Sequence, residues 1–416
     1  MDLAVFPQRP PHPPRDPQRY LPDPRSRPPE VCALTLSDRK RAGWLLGLFY
    51  LAYFALLGVY VIFLPKMLVQ SGYSASQVGM IFAASPLMRF LLPFLFRRLG
   101  SVERLHYLGA LILAFLSALL FFATLHSFTA FFLANLLYGA AMGIVLPYVD
   151  TIALQIISKE RYGRVRLWGS IGFMAIALWL GRVLETPLQS LVYLAVLALA
   201  TLLTGWLLAR YDRSEHKAGT SHPGNAASFS LRRYWAFWLS AFLLQVSFGG
   251  FYNFFTIYET AHGISLEMTS WLWSFGVLCE IAMLFWQGPL LKNRELLSLI
   301  EFAVATTVLR WMILWLWPDS LAAAFAAQSL HAFNFALYYT AAIAYVFELY
   351  TQKKLAQQFF LGMTFGLGGS IGAVLAGWIY EWDPDQLFLF EALVALAAWG
   401  AIRIHRRRKE HNAPAR

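Results

Sequence analysis

The chain has 416 residues, 58% of them hydrophobic and only 14% charged, with a net charge of +11 and a mean hydropathy of +0.52. A soluble domain of this length cannot cover so much apolar surface, and the apolar residues come in blocks near the ~20 residues needed to cross a bilayer. The basic residues are spread over many short loops, which excludes a groove-tracking stripe for nucleic acid.

Residues 1–41 hold half of the 20 prolines, mixed with Arg and Asp. This composition buries no core and predicts a disordered cytoplasmic tail, or a stretch upstream of the true start codon. It lacks the apolar h-region of a signal peptide. Twelve apolar runs follow, at 43–65, 76–97, 104–125, 127–149, 164–184, 188–209, 233–257, 267–290, 296–317, 320–347, 355–379 and 385–403. The gap at 126 makes the third and fourth a tight hairpin. The polar stretch 210–232 separates six runs from six. The expected fold class is an all-α membrane protein with twelve transmembrane helices in two six-helix halves, 42–209 and 233–404. A cytoplasmic linker over 210–232 joins them, and a basic cytoplasmic tail over 405–416 closes the chain.

Loop charge supports this count. Arg97, Arg98 and Arg104 follow run 2, and Lys159, Arg161, Arg164 and Arg166 follow run 4. Arg210, Arg213, Lys217, Arg232 and Arg233 fill the linker. Lys292 and Arg294 follow run 8, Lys353 and Lys354 follow run 10, and Arg406–Lys409 end the chain; the opposite loops carry Lys66 and Arg182. Lys and Arg crowd cytoplasmic loops, so both termini are expected in the cytoplasm. Cys32 and Cys279 give no disulfide framework. In run 11 the rows Gly362/Gly366, Gly368/Gly372 and Gly369/Ala373/Gly377 suit close helix packing. The glycines lack the Gly-Lys-Ser/Thr of a phosphate loop. No cofactor and no metal site is expected, and the absence of an ATP-binding motif points to a gradient-driven carrier.

Five ionisable residues stand out because a charge at the bilayer centre costs about 2.5–3.5 kcal/mol on insertion scales. Glu280, Arg310 and His331 fall in runs 8, 9 and 10. Glu280 shares a helical face with Trp273, Gly276 and Gln287, and His331 one with Asn334, Phe335 and Tyr338. Arg310 can grip a carboxylate in a bidentate pair, and if that carboxylate is Glu280 the pair is either a static tie between helices or a coupling device. Asp150 ends run 4 and Arg166 opens run 5 beside Trp168. They form a second pair, unless Asp150 caps a helix end and Arg166 belongs to the basic boundary. Arg89 is expected to snorkel toward Arg97, and Glu259 and Glu348 to be interfacial. Tyr50, Tyr53 and Tyr60 share a face of run 1. Gln245 and Asn253 are polar positions in run 7 that a substrate can use.

The runs Tyr162–Ser170, Pro147-Tyr148-Val149-Asp150, Leu272–Glu280, Leu309-Arg310-Trp311, Gln328-Ser329-Leu330-His331 and Gly368-Gly369-Ser370-Ile371 resemble the bacterial phenylpropionate permeases of the major facilitator superfamily. A more distant resemblance is to oligosaccharide–proton symporters of the lactose permease type. There, Arg166 corresponds to the sugar-binding arginine, Trp168 lies near the aromatic platform, and Glu280, Arg310 and His331 match the acid, arginine and histidine of spans 8–10. One departure is Asn334, which stands where those symporters carry a proton-accepting glutamate.

The resemblance implies a proton-coupled symporter in the bacterial inner membrane, importing a small organic anion such as an aromatic carboxylate by alternating access. Glu280, His331 and Asp150 are then the proton-coupling residues, and Arg310, Arg166, Trp168, Asn334, Tyr338, Gln245 and Asn253 the substrate-binding ones. The expected partners are substrate, protons and membrane lipids, with the protein a monomer. Sugar or nucleoside symport is the alternative, and a non-transporting sensor or scaffold a third.

Overall fold

A computed structural model describes residues 36–99, 102–157, 159–212 and 230–411. The bulk of the Pro-rich tail with Cys32, most of the linker and the last five residues lie outside these. Residues 36–41, assigned to the tail on composition, are instead the first turns of α1 (Leu36–Gly58), which runs through a π-helical segment, Val59–Phe63, into α2 (Leu64–Gln70). There follow α3 (Ala75–Leu99), α4 (Arg104–Thr124), α5 (Phe128–Ile156), α6 (Lys159–Val183) and α7 (Pro187–Leu208). The second half opens with α8 (Trp235–Val246) and α9 (Gly249–Ala261), then α10 (Leu266–Asn293) and α11 (Leu296–Leu316). It continues with α12 (Leu321–Ser329), a π segment Ala332–Leu337, α13 (Tyr338–Leu349), α14 (Lys353–Leu361), a π segment Gly362–Gly368, α15 (Gly369–Trp382) and α16 (Leu387–His411).

Local chemistry sets the boundaries. Ser127 and Ser265 cap α5 and α10 by accepting the N–H of Ala130 and Met268. Thr186 and Gln189 form a capping box at α7, with Pro187 at its first position. The hairpin at 126 is present as the turn between Thr124 and Phe128. α2 and α9 stop the same way. Gly72 and Gly263 adopt positive φ, 94° and 85°, and the next N–H bonds back five residues, Tyr73 to Leu68 and Ile264 to Glu259. This is a Schellman stop that needs glycine, and it recurs at matching places in the two halves.

Among the described residues ten helical stretches are long and apolar enough to cross a membrane. The expected runs 164–184 and 233–257 are the two outside that set. α6 carries Arg166 and Arg182 within its apolar stretch. The seventh run is interrupted by a turn at Ser247–Phe248, where Phe248 leaves the helical conformation with φ of −97° and ψ of 2°.

The halves meet mainly through α3 on α15 and α6 on α10. At Gly79 an added Cβ would lie 2.5 Å from Ala373 O and 3.0 Å from Gly377 Cα, and at Gly181 it would lie 2.4 Å from Ser270 Oγ. Polar contacts join the halves at the same end. Lys66 Nζ donates to Thr260 Oγ1 at 2.7 Å, Ser76 N to Glu381 Oε2 at 2.7 Å, and Arg182 Nε to Glu267 Oε1 at 2.5 Å. All lie at the end opposite the chain termini. At the terminal end Tyr148–Asp212 and Arg403–Glu301 are contacts within one half.

Candidate functional site

The C-terminal cluster is built on α10, α11 and the α12–π junction. α10 meets this junction at Gly276, where a Cβ would make ordinary contacts at 3.4 Å to Gln328 Oε1 and 3.7 Å to His331 Cδ2. One turn later Glu280 Oε2 sits 3.8 Å from His331 Nε2. The other ring nitrogen, Nδ1, is 2.9 Å from Arg310 Nη1. Arg310 Nη1 also donates to Asn334 Oδ1 at 3.3 Å and Nη2 to Gln328 Oε1 at 2.6 Å. Asn334 Nδ2 donates in turn to Thr306 Oγ1 at 3.1 Å. The π segment that begins after His331 carries Asn334, so both side chains reach the same guanidinium.

Arg310 is fully buried, 0% exposed. Its guanidinium lies 4.2 Å from the Phe251 ring centroid and 4.7 Å from that of Trp311, a geometry that favours a desolvated cation. The expected direct Glu280–Arg310 pair is not formed. Arg310 turns toward Gln328 and Asn334, and His331 stands between the two charges. Glu280 is the more open group, with 24% of its side chain exposed.

The N-terminal cluster sits on α1, α5 and α6. Tyr50 donates its hydroxyl to Asp150 Oδ1 at 2.7 Å. Arg166 lies over two α1 rings, 4.0 Å from the Phe54 centroid and 5.0 Å from that of Tyr50. No ion pair joins Asp150 to Arg166 among the described residues. Tyr50 touches both instead, and no carboxylate among the described residues pairs with Arg166. The clusters come near each other, with Arg166 within electrostatic reach of Glu280 and Asp150 within reach of Tyr339. Between them α6 touches α10 through Phe173 and Trp273, ring centroids 6.3 Å apart.

Trp168 packs on α1 against Gly47 and the Trp44 ring. Asn253 donates back to Gly249 O at 2.7 Å, within its own helix. Gln245 packs against Gly368, and Tyr338 is buried. Glu259, two residues before the end of α9, is fully buried, and neither carboxyl oxygen has a hydrogen-bond partner. Arg89 lies within electrostatic reach of Tyr53 and Tyr60. Gln328, Phe251 and Glu391 are site neighbours beyond the sequence-based set. No group of three metal-ligating side chains converges among the described residues.

Two sets of membrane-length helices packed through α3–α15 and α6–α10, with charged groups of both sets within electrostatic reach of each other, fit a membrane transporter. The chain belongs to the MFS_1 like family, whose model matches residues 43–391. It is 28% identical over 369 residues to the probable 3-phenylpropionic acid transporter of Escherichia coli (strain K12), covering 85% of this chain and 95% of that protein. The fold is similar to that of the nucleoside transporter NupG, with a TM-score of 0.73, 17% identity, and 88% of this chain and 98% of that one covered. It is also similar to a bacterial homologue of the lysosomal transporter Spinster in an inward-facing, unoccupied conformation. There the TM-score is 0.68 at 13% identity, with 91% of this chain and 99% of that one covered. These proteins are transporters, not enzymes.

Proposed function

We propose that this transporter is a proton-coupled symporter for a small organic anion, an aromatic carboxylate of the phenylpropionate kind. The observation that carries the reading is the pair of unequal arginines. Arg310 is enclosed and its two Nη groups are held by Gln328, His331 and Asn334, while its buried Nε has no partner among the described residues. Arg166 is half-buried, lies against aromatic rings, and forms no ion pair among the described residues, with Asp150 held by Tyr50 and Glu280 within electrostatic reach. A guanidinium in that setting takes a carboxylate in bidentate fashion, and the neighbouring rings of Phe54, Tyr50 and Phe173 give an aryl group an apolar wall. The 3-phenylpropionic acid named for the E. coli relative fits this chemistry.

Glu280 is the proposed proton carrier. Its side chain is partly exposed and its Oε2 is close to His331 Nε2. A proton on Glu280 cancels a negative charge facing the substrate anion, which links the two fluxes. Arg310, His331 and Asn334 hold Glu280's side of the site in place, and Asp150 with Tyr50 holds the other. Tyr338, Gln245, Asn253 and Trp168 shape the surroundings.

The reading includes a topology of twelve spans, α6 and the broken α8–α9 counted among them, in a bacterial inner membrane with both termini cytoplasmic. The halves are 42–209 and 233–404, and the monomer is the working unit. The interhelical contacts at the end opposite the termini then close the outer face, so the molecule is open inward. Flux in proteoliposomes under an imposed pH gradient tests this. Accumulation of 3-phenylpropionate with co-transport of protons is expected. Accumulation of maltose or uridine instead, or of none of the three, rejects it.

A further inference from the structure

The apolar helix α16 carries one buried acid, Glu391, which is 0% exposed. Its Oε1 accepts the N–H of Gly250, and its Oε2 is enclosed without a hydrogen-bond partner. Gly250 is in the first turn of α9, just past the interruption at Ser247–Phe248. The first N–H groups of a helix have no partner within it, and here an acid from another helix takes them up. The close approach requires glycine. A Cβ at Gly250 would lie 2.7 Å from Glu391 Oε1, and one at Gly249 would lie 2.2 Å from the Gly372 backbone.

The next residue is Phe251. Its amide belongs to the same turn that Glu391 holds, and its ring supports Arg310 at 4.2 Å. The ring also touches Trp273, centroids 4.6 Å apart, and His331, 5.7 Å apart. One turn before Glu391, Phe388 stacks on Trp311 at 5.7 Å. Trp311 Nε1 donates to Ser247 Oγ at 3.4 Å, at the interruption itself. α16 therefore holds both sides of the aromatic cradle in which Arg310 sits. In carriers with broken helices the positive N-terminal end of a half-helix can receive an anionic substrate. In this chain Glu391 fills that end of α9.

We propose that Glu391 is a positioning residue for the transport site. By clamping the first turn of α9 it keeps Phe251 beneath Arg310, and thereby fixes the guanidinium on which His331 and Asn334 depend. The inference rests on the reading that the Arg310 cluster belongs to the transport site.

Hydrogen exchange by mass spectrometry on the purified full-length protein tests it without a substrate. Glu391→Gln keeps the volume of the side chain and removes its carboxylate, and Gly250→Ala displaces the carboxylate sterically. Each variant is expected to raise exchange about tenfold over residues 249–255 and also over 328–337. Phe251→Leu is expected to raise it over 328–337, and adding Glu391→Gln to it to cause no further rise there. A rise confined to 249–255 means that Glu391 only caps α9 and overturns the proposal, as does a further rise over 328–337 in the double variant.

Exchange of labelled 3-phenylpropionate across proteoliposomes gives the functional arm. Glu391→Gln is expected to raise KM about tenfold with the maximal rate changed less than about twofold. An unchanged KM overturns the proposal. If the wild-type protein does not move this probe, the substrate reading fails and the hydrogen-exchange result decides the role of Glu391.

Discussion

Arg310 and His331 are joined by a 2.9 Å contact between Nη1 and Nδ1, and the direction of that bond is set by chemistry. A guanidinium only donates, so Nδ1 must present its lone pair. The proton of a neutral ring then lies on Nε2, the nitrogen that faces Glu280. Arg310 thus orders the imidazole toward the acid without touching the acid itself. This is the same logic by which a neighbour's hydrogen bond selects a histidine tautomer at other functional sites.

The tautomer is directly observable. Nitrogen-15 spectra of histidine-labelled protein, with His331→Gln used to assign the signal by subtraction, should show His331 with a pyridine-type Nδ1 and a protonated Nε2. Arg310→Lys should disturb that signal, because one ammonium cannot replace donors spread over Gln328, His331 and Asn334. Each buried acceptor left unpaired costs about 1–3 kcal/mol, so the same variant should melt several degrees lower in a thermal-shift assay. A pyrrole-type Nδ1 in the wild-type spectrum would contradict the bond direction.

Glu280→Gln removes the titrating group and keeps its shape. Under the proposed coupling, uphill uptake driven by a pH gradient falls at least about tenfold, while equilibrium exchange of labelled for unlabelled substrate persists. The comparison is made in one proteoliposome preparation. Equal loss of both activities would assign Glu280 to substrate binding and leave the proton carrier to be found elsewhere.

The helices were legible because apolar runs and basic loops repeat along the chain, and α1–α16 fall where those runs lie. The interruption at Ser247–Phe248 was not, since neither residue is a helix breaker and the turn is held by contacts from α11. For the site, insertion cost flags a charge in an apolar run and says nothing of its partner. Glu280, Arg310 and His331 do meet, yet in the order Glu280–His331–Arg310 rather than as an acid–arginine pair. Gln328 and Phe251 are uncharged, so no such signal marks them. Glu391 did carry the signal, alone among apolar neighbours in the last run, and stands outside the sequence-based set.

Arg166 and Arg310 should respond differently to substitution. Arg166→Lys keeps a charge near Phe54 and Tyr50 but removes the planar fork. Its KM for an aryl carboxylate is expected to rise about tenfold to a hundredfold, with little change in melting temperature because the side chain is only half-buried. An uncharged aryl alcohol of the same length, used as a competing ligand, should lose little affinity in the variant. If the acid and the alcohol weaken equally, Arg166 does not read the carboxylate.

The seam between α3 and α15 makes the last prediction. At Gly79 an added Cβ would lie 2.5 Å from Ala373 O, and at Gly377 one would lie 2.7 Å from Ala75 O. These atoms are backbone and cannot swing away, so a valine at either position forces the helices apart at the end opposite the termini. The closed arrangement there is otherwise held by Ser76–Glu381, Lys66–Thr260 and the exposed Arg182–Glu267 pair, and an exposed pair contributes under about 1 kcal/mol. Steric separation therefore outweighs the polar contacts, and the population shifts toward the state open at that end. A cysteine at Thr260 should react with a membrane-impermeant maleimide at least about tenfold faster in Gly79→Val than in the parent cysteine variant. Removing the ion pair by Glu267→Gln should change the rate less than about fivefold. Equal rates in Gly79→Val and its parent would mean that α3 and α15 do not form the closing seam.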